Sequence, residues 1–174
     1  MKKTILILAI VSLLVLTACN QQTTNQSTEE APTTSAPVEF RDFGPEPFVL
    51  DIEAYTLQNE KYRQSIWTGT YMQMTVMNIL PGEDIGLEMH PDIDQFIRVE
   101  AGSGIVRMGD SEDNLNFEKR VEDDFAVFVP AGKWHNLVND SDKPLKIYSI
   151  YAPVEHPHGT VHATQEEGFE AHDH

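Results

Sequence analysis

From about residue 40 onward the sequence predicts an all-β fold, a sandwich or jelly roll closed as a single barrel. Three observations carry this reading. Short apolar runs recur at close spacing, turn-forming residues bound each of them, and no stretch holds the 3.6-residue period of a long helix.

The elements follow in order. Residues 51–64 suit a short helix or turn. In 71–80, Tyr71, Gln73, Thr75, Met77 and Ile79 alternate with Met72, Met74, Val76, Asn78 and Leu80, giving a strand with two largely apolar faces. Further runs lie at 96–99, 105–108, 125–129, 137–138 and 145–151. Pro81-Gly82, Gly102-Ser103-Gly104, Gly109-Asp110 and Pro130-Ala131-Gly132 supply the turns between them. The chain shows no internal repeat, so one barrel is expected rather than two.

The first residues have another character. Lys2 and Lys3 precede an apolar run from Ile5 to Leu16 broken only by Ser12. The run is too short for a comfortable membrane span and has the layout of a secretory leader. It ends in Leu16-Thr17-Ala18-Cys19, which resembles the bacterial lipobox. That resemblance implies cleavage before Cys19 and lipid on its thiol, hence a protein anchored on the outer face of a cell membrane. From Asn20 to Pro37 only Gln, Thr, Asn, Ser, Glu, Ala and Pro occur, and such a segment cannot repay the entropy of ordering. The expected organisation is a leader at 1–18, a tether at 19–38, the barrel at 39–160 and a flexible His- and acid-rich tail at 161–174.

Composition narrows the partners. The 174 residues carry 12 Lys and Arg against 28 Asp and Glu, a net charge of −16. Such a surface repels phosphate backbones and anionic headgroups, so no nucleic-acid partner is expected and any membrane attachment must come from something other than a basic patch. With a single cysteine, no intramolecular disulfide and no multi-cysteine metal site can form.

Two motifs carry the chemistry. The first runs Gly82, five residues, Glu88-Met89-His90, four residues, Gln95, six residues, Gly102. The second runs Asp124, five residues, Pro130-Ala131-Gly132, two residues, His135, three residues, Asn139. They resemble the paired cupin motifs G-x5-H-x-H-x4-E-x6-G and G-x5-P-x-G-x2-H-x3-N. Gly82, His90, Gly102, Pro130, Gly132, His135 and Asn139 match, and the resemblance covers about residues 40–160. Within cupins, Trp67-Thr68-Gly69, Asp94-Gln95-Phe96 and residues 148–162 are similar to small bacterial proteins described as mannose-6-phosphate-isomerase-like. The resemblance implies a cupin double-stranded β-helix and one divalent metal ion.

Residue by residue, the family's ligands fall on Glu88, His90, Gln95 and His135. Glu88 stands where the family has its first His, Gln95 where it has Glu, and Asp124 where it has Gly. The anionic charge on the metal is unchanged, because one carboxylate remains in the set. Carboxylate, amide and imidazole donors suit Zn, Mn or Fe better than a thiolate-seeking ion. Glu88 and His90 are two apart, so on one strand they share a face. Pro91-Asp92-Ile93 can turn the chain and bring Gln95 back on a neighbouring strand, and His135 follows the Pro130–Gly132 turn.

Around this set, Trp134, Tyr148, Tyr151, Met89 and Met108 are either pocket lining or core. Arg98 is out of phase with Gln95 and is expected to point outward. Lys133 is the only basic residue in the motif loops, which disfavours a phosphorylated substrate. His156, His158, His162, His172 and His174 follow the last expected strand. Either they collect metal, or residues 152–162 pack across the barrel and the remainder frays; the second reading is preferred.

The function expected is a lipid-anchored, metal-dependent enzyme acting on a small polar, sugar-like molecule, isomerase-like by resemblance, with a dioxygenase open by cupin analogy. The alternative is a non-catalytic lipoprotein that holds a metal or small ligand. Pairing into a homodimer through an outward face bearing Phe96 and Arg98 is also expected.

Overall fold

A computed structural model describes residues 36–171. Cys19, the leader, most of the expected tether, His172 and His174 lie outside them. The described residues form two antiparallel sheets. One has six strands in the order β6-β3-β8-β2-β1-β9, the other three in the order β5-β4-β7. Their ranges are β1 (Arg63–Thr68), β2 (Gln73–Ile79), β3 (Asp94–Ala101), β4 (Ser103–Gly109), β5 (Phe117–Glu122), β6 (Ala126–Val129), β7 (Trp134–Val138), β8 (Leu145–Ala152) and β9 (Val161–His162). Helices α1 (Ile52–Gln58) and α2 (Gln165–Glu170) flank them. The expected jelly roll is present.

Antiparallel register explains how one molecule holds both an apolar core and a polar interior. Residues directly opposite one another share a face. Val99, Ile147 and Met77 form one inward row, and Leu145 and Ile79 another, all buried with Val106, Val121 and Leu137 of the smaller sheet. Nearer the other end, Ile97, Ser149, Thr75 and Ser65 form a row, and Gln95, Tyr151 and Gln73 the next. The barrel is thus apolar at one end and polar at the other.

The outer face of β2 is also covered. Met74 and Val76 pack under Phe40, Phe43, Phe48 and Tyr55 from the segment before and within α1. Phe43 and Phe48 stack at 4.0 Å, and Asp51 caps α1 by accepting from the Ala54 backbone N–H at 3.1 Å. This second layer accounts for a strand that is apolar on both faces.

Three expectations need correction. Residues 51–64 are not only helix or turn, since α1 is followed by the start of β1. The charged, mostly exposed strand β5 adds an element that no apolar run announces. Nor does the chain fray from 161: β9 pairs with β1, and α2 follows, with Phe169 set against the Tyr62 ring at 6.4 Å. Thr164 caps α2 by accepting from Glu167 N–H.

Candidate metal centre

The segment 82–90 runs antiparallel to β7 and its flanks. Gly82 N–H donates to Asn139 O at 2.9 Å, Ile85 N–H to Leu137 O at 3.1 Å, and Gly132 N–H to His90 O at 2.7 Å. At the middle of this ladder Glu88 and His135 face each other and exchange both backbone hydrogen bonds, at 3.1 and 2.9 Å. Their side chains therefore emerge side by side. His90, two residues on, shares the face of Glu88.

These three side chains converge. One donor atom from each of Glu88, His90 and His135 lies within 4.8 Å of the others. Glu88 Oε1 is 3.4 Å from Nε2 of both His90 and His135. Among the described residues no other group of three His, Cys, Asp or Glu side chains is gathered in this way. The cluster can hold one metal ion.

Hydrogen bonding tests the fit. Glu88 Oε1, His90 Nε2 and His135 Nε2 are buried and make no hydrogen bond, and the same is true of Gln95 Oε1. Leaving polar atoms dry and unbonded costs about 1–3 kcal/mol each, so the gathering of the Glu88, His90 and His135 atoms requires an explanation. A cation lying among them supplies one. The far nitrogens of the two rings are engaged elsewhere: His135 Nδ1 meets Lys133 O at 3.0 Å, and His90 Nδ1 meets Glu155 Oε1 at 3.4 Å. Both rings thus turn Nε2 toward the centre.

Electrostatics agrees. Burial by itself would raise the Glu88 carboxyl, but the neighbouring His135 and His90 imidazoles, with the Arg63 charge, hold it well below the usual range. For His90, desolvation opposes the charged form, yet Glu88 and then Glu155 outweigh it and raise its value. In the metal-free protein the ionised form of Glu88 and the protonated form of His90 are therefore favoured together, and a metal held at Nε2 would displace that proton.

Gln95 lies on β3, in the sheet opposite the one that carries His135, and not on a strand neighbouring Glu88 and His90 as its spacing suggested. It is 3% exposed, and its Nε2 donates to Ser149 Oγ at 3.5 Å. Tyr151, directly opposite it on β8, sets its ring edge-on to His90 at 6.0 Å. Of the other residues weighed, Tyr151 lies beside the cluster. Tyr148 packs on the outer face with Phe96, and Met108 joins the apolar core. Arg98 pairs with Glu100 and Asp124 outside the barrel, as its phase implied.

Sequence reasoning missed two charged neighbours. Arg63 on β1 is 1% exposed, and its charge acts on Glu88, His90 and Tyr151. Lys133, the basic residue of the motif loops, instead pairs with Asp110 at the surface. Glu155 is the second. Its only signal was proximity to His156 in a segment rich in His. Those histidines are dispersed: His156 is buried against Tyr151 at 5.1 Å, His158 meets Gly44 O at 3.0 Å, and His162 pairs with Arg63 across β9 and β1.

Comparison with known proteins agrees with the architecture. Residues 75–151 match the family described as "Cupin domain". The chain is 54% identical over 134 residues to the uncharacterized protein YrkC of Bacillus subtilis (strain 168), covering 77% of this chain and 72% of that one. Among solved structures it is similar to BH2720 from Bacillus halodurans, at 54% identity and a TM-score of 0.74, covering 75% of this chain and 98% of the other. It also shares its fold with TT1209 from Thermus thermophilus, at 24% identity and a TM-score of 0.52, over 60% of this chain and 96% of that one.

Proposed function

The chain belongs to the cupin family, and from that premise we propose that it is a metal-binding cupin acting on a small polar, sugar-like molecule outside the cytoplasm. The observation that carries the metal is the set of four buried, unbonded donor atoms on Glu88, His90, Gln95 and His135. Gln95 is the fourth ligand of this reading. It stands in the inward row of Tyr151, which packs on His90, and its amide oxygen suits a zinc, manganese or iron ion.

Catalysis, isomerase-like by resemblance, is the favoured form of the proposal. A bound metal would supply Lewis acidity toward a carbonyl or hydroxyl pair. The chain's own residues provide the rest. Tyr151 is fully buried, and burial raises its phenol, so it stays a proton donor for a ligand oxygen. Ser149, Thr75 and Ser65 form the neighbouring inward row, and the Thr75 hydroxyl is buried without a hydrogen-bond partner. Such a wall suits a hydroxyl-rich molecule. The second reading, a non-catalytic protein that stores a metal or small ligand, is favoured by the burial of His135 and Gln95, 1% and 3% exposed.

Leu16-Thr17-Ala18-Cys19 supports the location: lipid on Cys19 would place the barrel on the outer side of a membrane, clear of it by the 19–38 tether. Two exposed phenylalanines, Phe117 and Phe128 at 46% and 72%, lie on edge strands β5 and β6, and Phe128 packs on Phe96 of the face proposed for pairing. The experiment is metal analysis of the purified protein, then a turnover screen with sugars and an oxygen-uptake assay. Metal with turnover supports the enzyme; metal without turnover leaves the storage reading; neither refutes both.

A further inference from the structure

Nε2 of His90 can serve a metal only as the lone-pair nitrogen, which requires the ring proton to sit on Nδ1. The group facing Nδ1 selects that tautomer. For His135 it is the Lys133 backbone carbonyl, which can only accept. For His90 it is the carboxylate of Glu155 at 3.4 Å, in a side chain only 19% exposed. We propose that Glu155 is the positioning residue of the metal centre: it takes the Nδ1–H of His90, aims Nε2 inward and thereby raises the affinity of the site for a divalent cation. The inference rests on the metal-binding reading and adds to it a carboxylate from outside both motifs.

The carboxylate is held in place by its backbone. Glu155 lies in the arm after β8, and the next residue, His156, is clamped by Gln73, which is completely buried. Gln73 Nε2 donates to His156 O at 2.8 Å, and His156 N–H donates to Gln73 Oε1 at 2.8 Å. Gln73 is fixed in turn by Thr68 Oγ1 at 2.9 Å. The His156 ring stands edge-on to Tyr151, which stands edge-on to His90. Further along, Ser65 N–H donates to Thr160 O at 2.9 Å. The arm is therefore strapped to β1 and β2, and the ring whose proton Glu155 takes belongs to the same packed set.

Two physical effects then act together. A carboxylate on the outer nitrogen fixes ring orientation and makes the inner nitrogen a better donor, and losing such a partner commonly costs about 10–100-fold in metal affinity. A second negative charge near the cation, in a partly shielded site, adds direct attraction that a surface pair would lack. Glu155→Gln keeps an acceptor oxygen and removes the charge, whereas Glu155→Ala removes both. A mere strap would show itself in stability and leave affinity and tautomer alone.

The test uses the full chain in detergent, stripped with a chelator and titrated with cobalt or zinc against a competing indicator. The expected order is wild type, then Glu155→Gln a few-fold weaker, then Glu155→Ala about 10–100-fold weaker. Nitrogen-15 spectra of the zinc-loaded wild type should show His90 bound through Nε2 and protonated at Nδ1. That spectrum needs no variant, so a misfolded Glu155→Ala would not shelter the proposal. Equal affinity of wild type and Glu155→Gln together with a His90 bound through Nδ1 would overturn it, as would equal affinity of a folded Glu155→Ala. A wild type that takes up no divalent ion would instead bring down the metal-binding reading beneath it.

Discussion

At the scale of single residues, the proposed centre sets one proton against one cation. In the metal-free protein the folded value of Glu88 is depressed below its ordinary 4.5, so its contribution to stability is present above that value and lost as pH falls toward the folded one. The folded value of His90 is raised above its ordinary 6.5, so its contribution is full below that and lost as pH rises through the raised value. Metal binding runs the other way, because the ion displaces the His90 proton. Melting midpoints in chelator should therefore fall as pH climbs past the raised value, while midpoints in zinc hold or rise. Parallel curves would show that His90 does not bind the ion. Substitutions follow from the same chemistry. Glu88→Gln removes the only carboxylate of the ligand set and should weaken binding, whereas Gln95→Glu should retain metal. Both are read as zinc affinity by chelator competition.

At the scale of elements, turns and strands differ in how plainly the sequence declares them. Gly102 has φ +86°, and a Cβ there would come 2.5 Å from Pro144 O, so Gly102→Ala should cost about 2 kcal/mol or more in denaturant unfolding. Asp124 stands where the family has Gly and adopts φ 70°. Asp124→Gly would relieve that conformation but free the unfolded chain and lose an exposed pair with Arg98. The terms nearly cancel, and the expected change is within about 1 kcal/mol. Strands β2, β3, β4, β6, β7 and β8 were legible because each buries a run of apolar residues. β1 was hidden, since Arg63, Gln64 and Ser65 look like a solvated face and yet are buried at 1%, 6% and 1%. β5 was hidden because an exposed edge strand, Phe117–Glu122, needs no apolar pattern. Of the site, Glu88, His90 and His135 were readable from motif spacing. Arg63 and Glu155 were not, because the first depends on register across the sheet and the second on how the arm after β8 folds back.

At the scale of the whole molecule, the barrel, the anchor and the pairing surface make separate claims. If Cys19 carries lipid, Cys19→Ser should abolish lipid labelling and release the protein from membranes; unchanged fractionation would contradict the anchor. Pairing through the face of Phe96 and Phe128 should give a dimer in sedimentation, and Phe128→Asp should yield monomers. A wild type monomeric at every concentration would remove that claim without touching the site. The fold builds the candidate centre from both sheets: β7 and the segment paired with it bring Glu88, His90 and His135 together, β8 and β3 of the six-stranded sheet carry Tyr151 and Gln95 in one inward row, and an apolar core fills the other end of the barrel. The central claim is that this frame holds one divalent ion. Its most direct measurement is the metal content, after dialysis, of the wild type and His135→Ala. Near one equivalent in the wild type and almost none in the variant is predicted; equal content in the two would contradict the site.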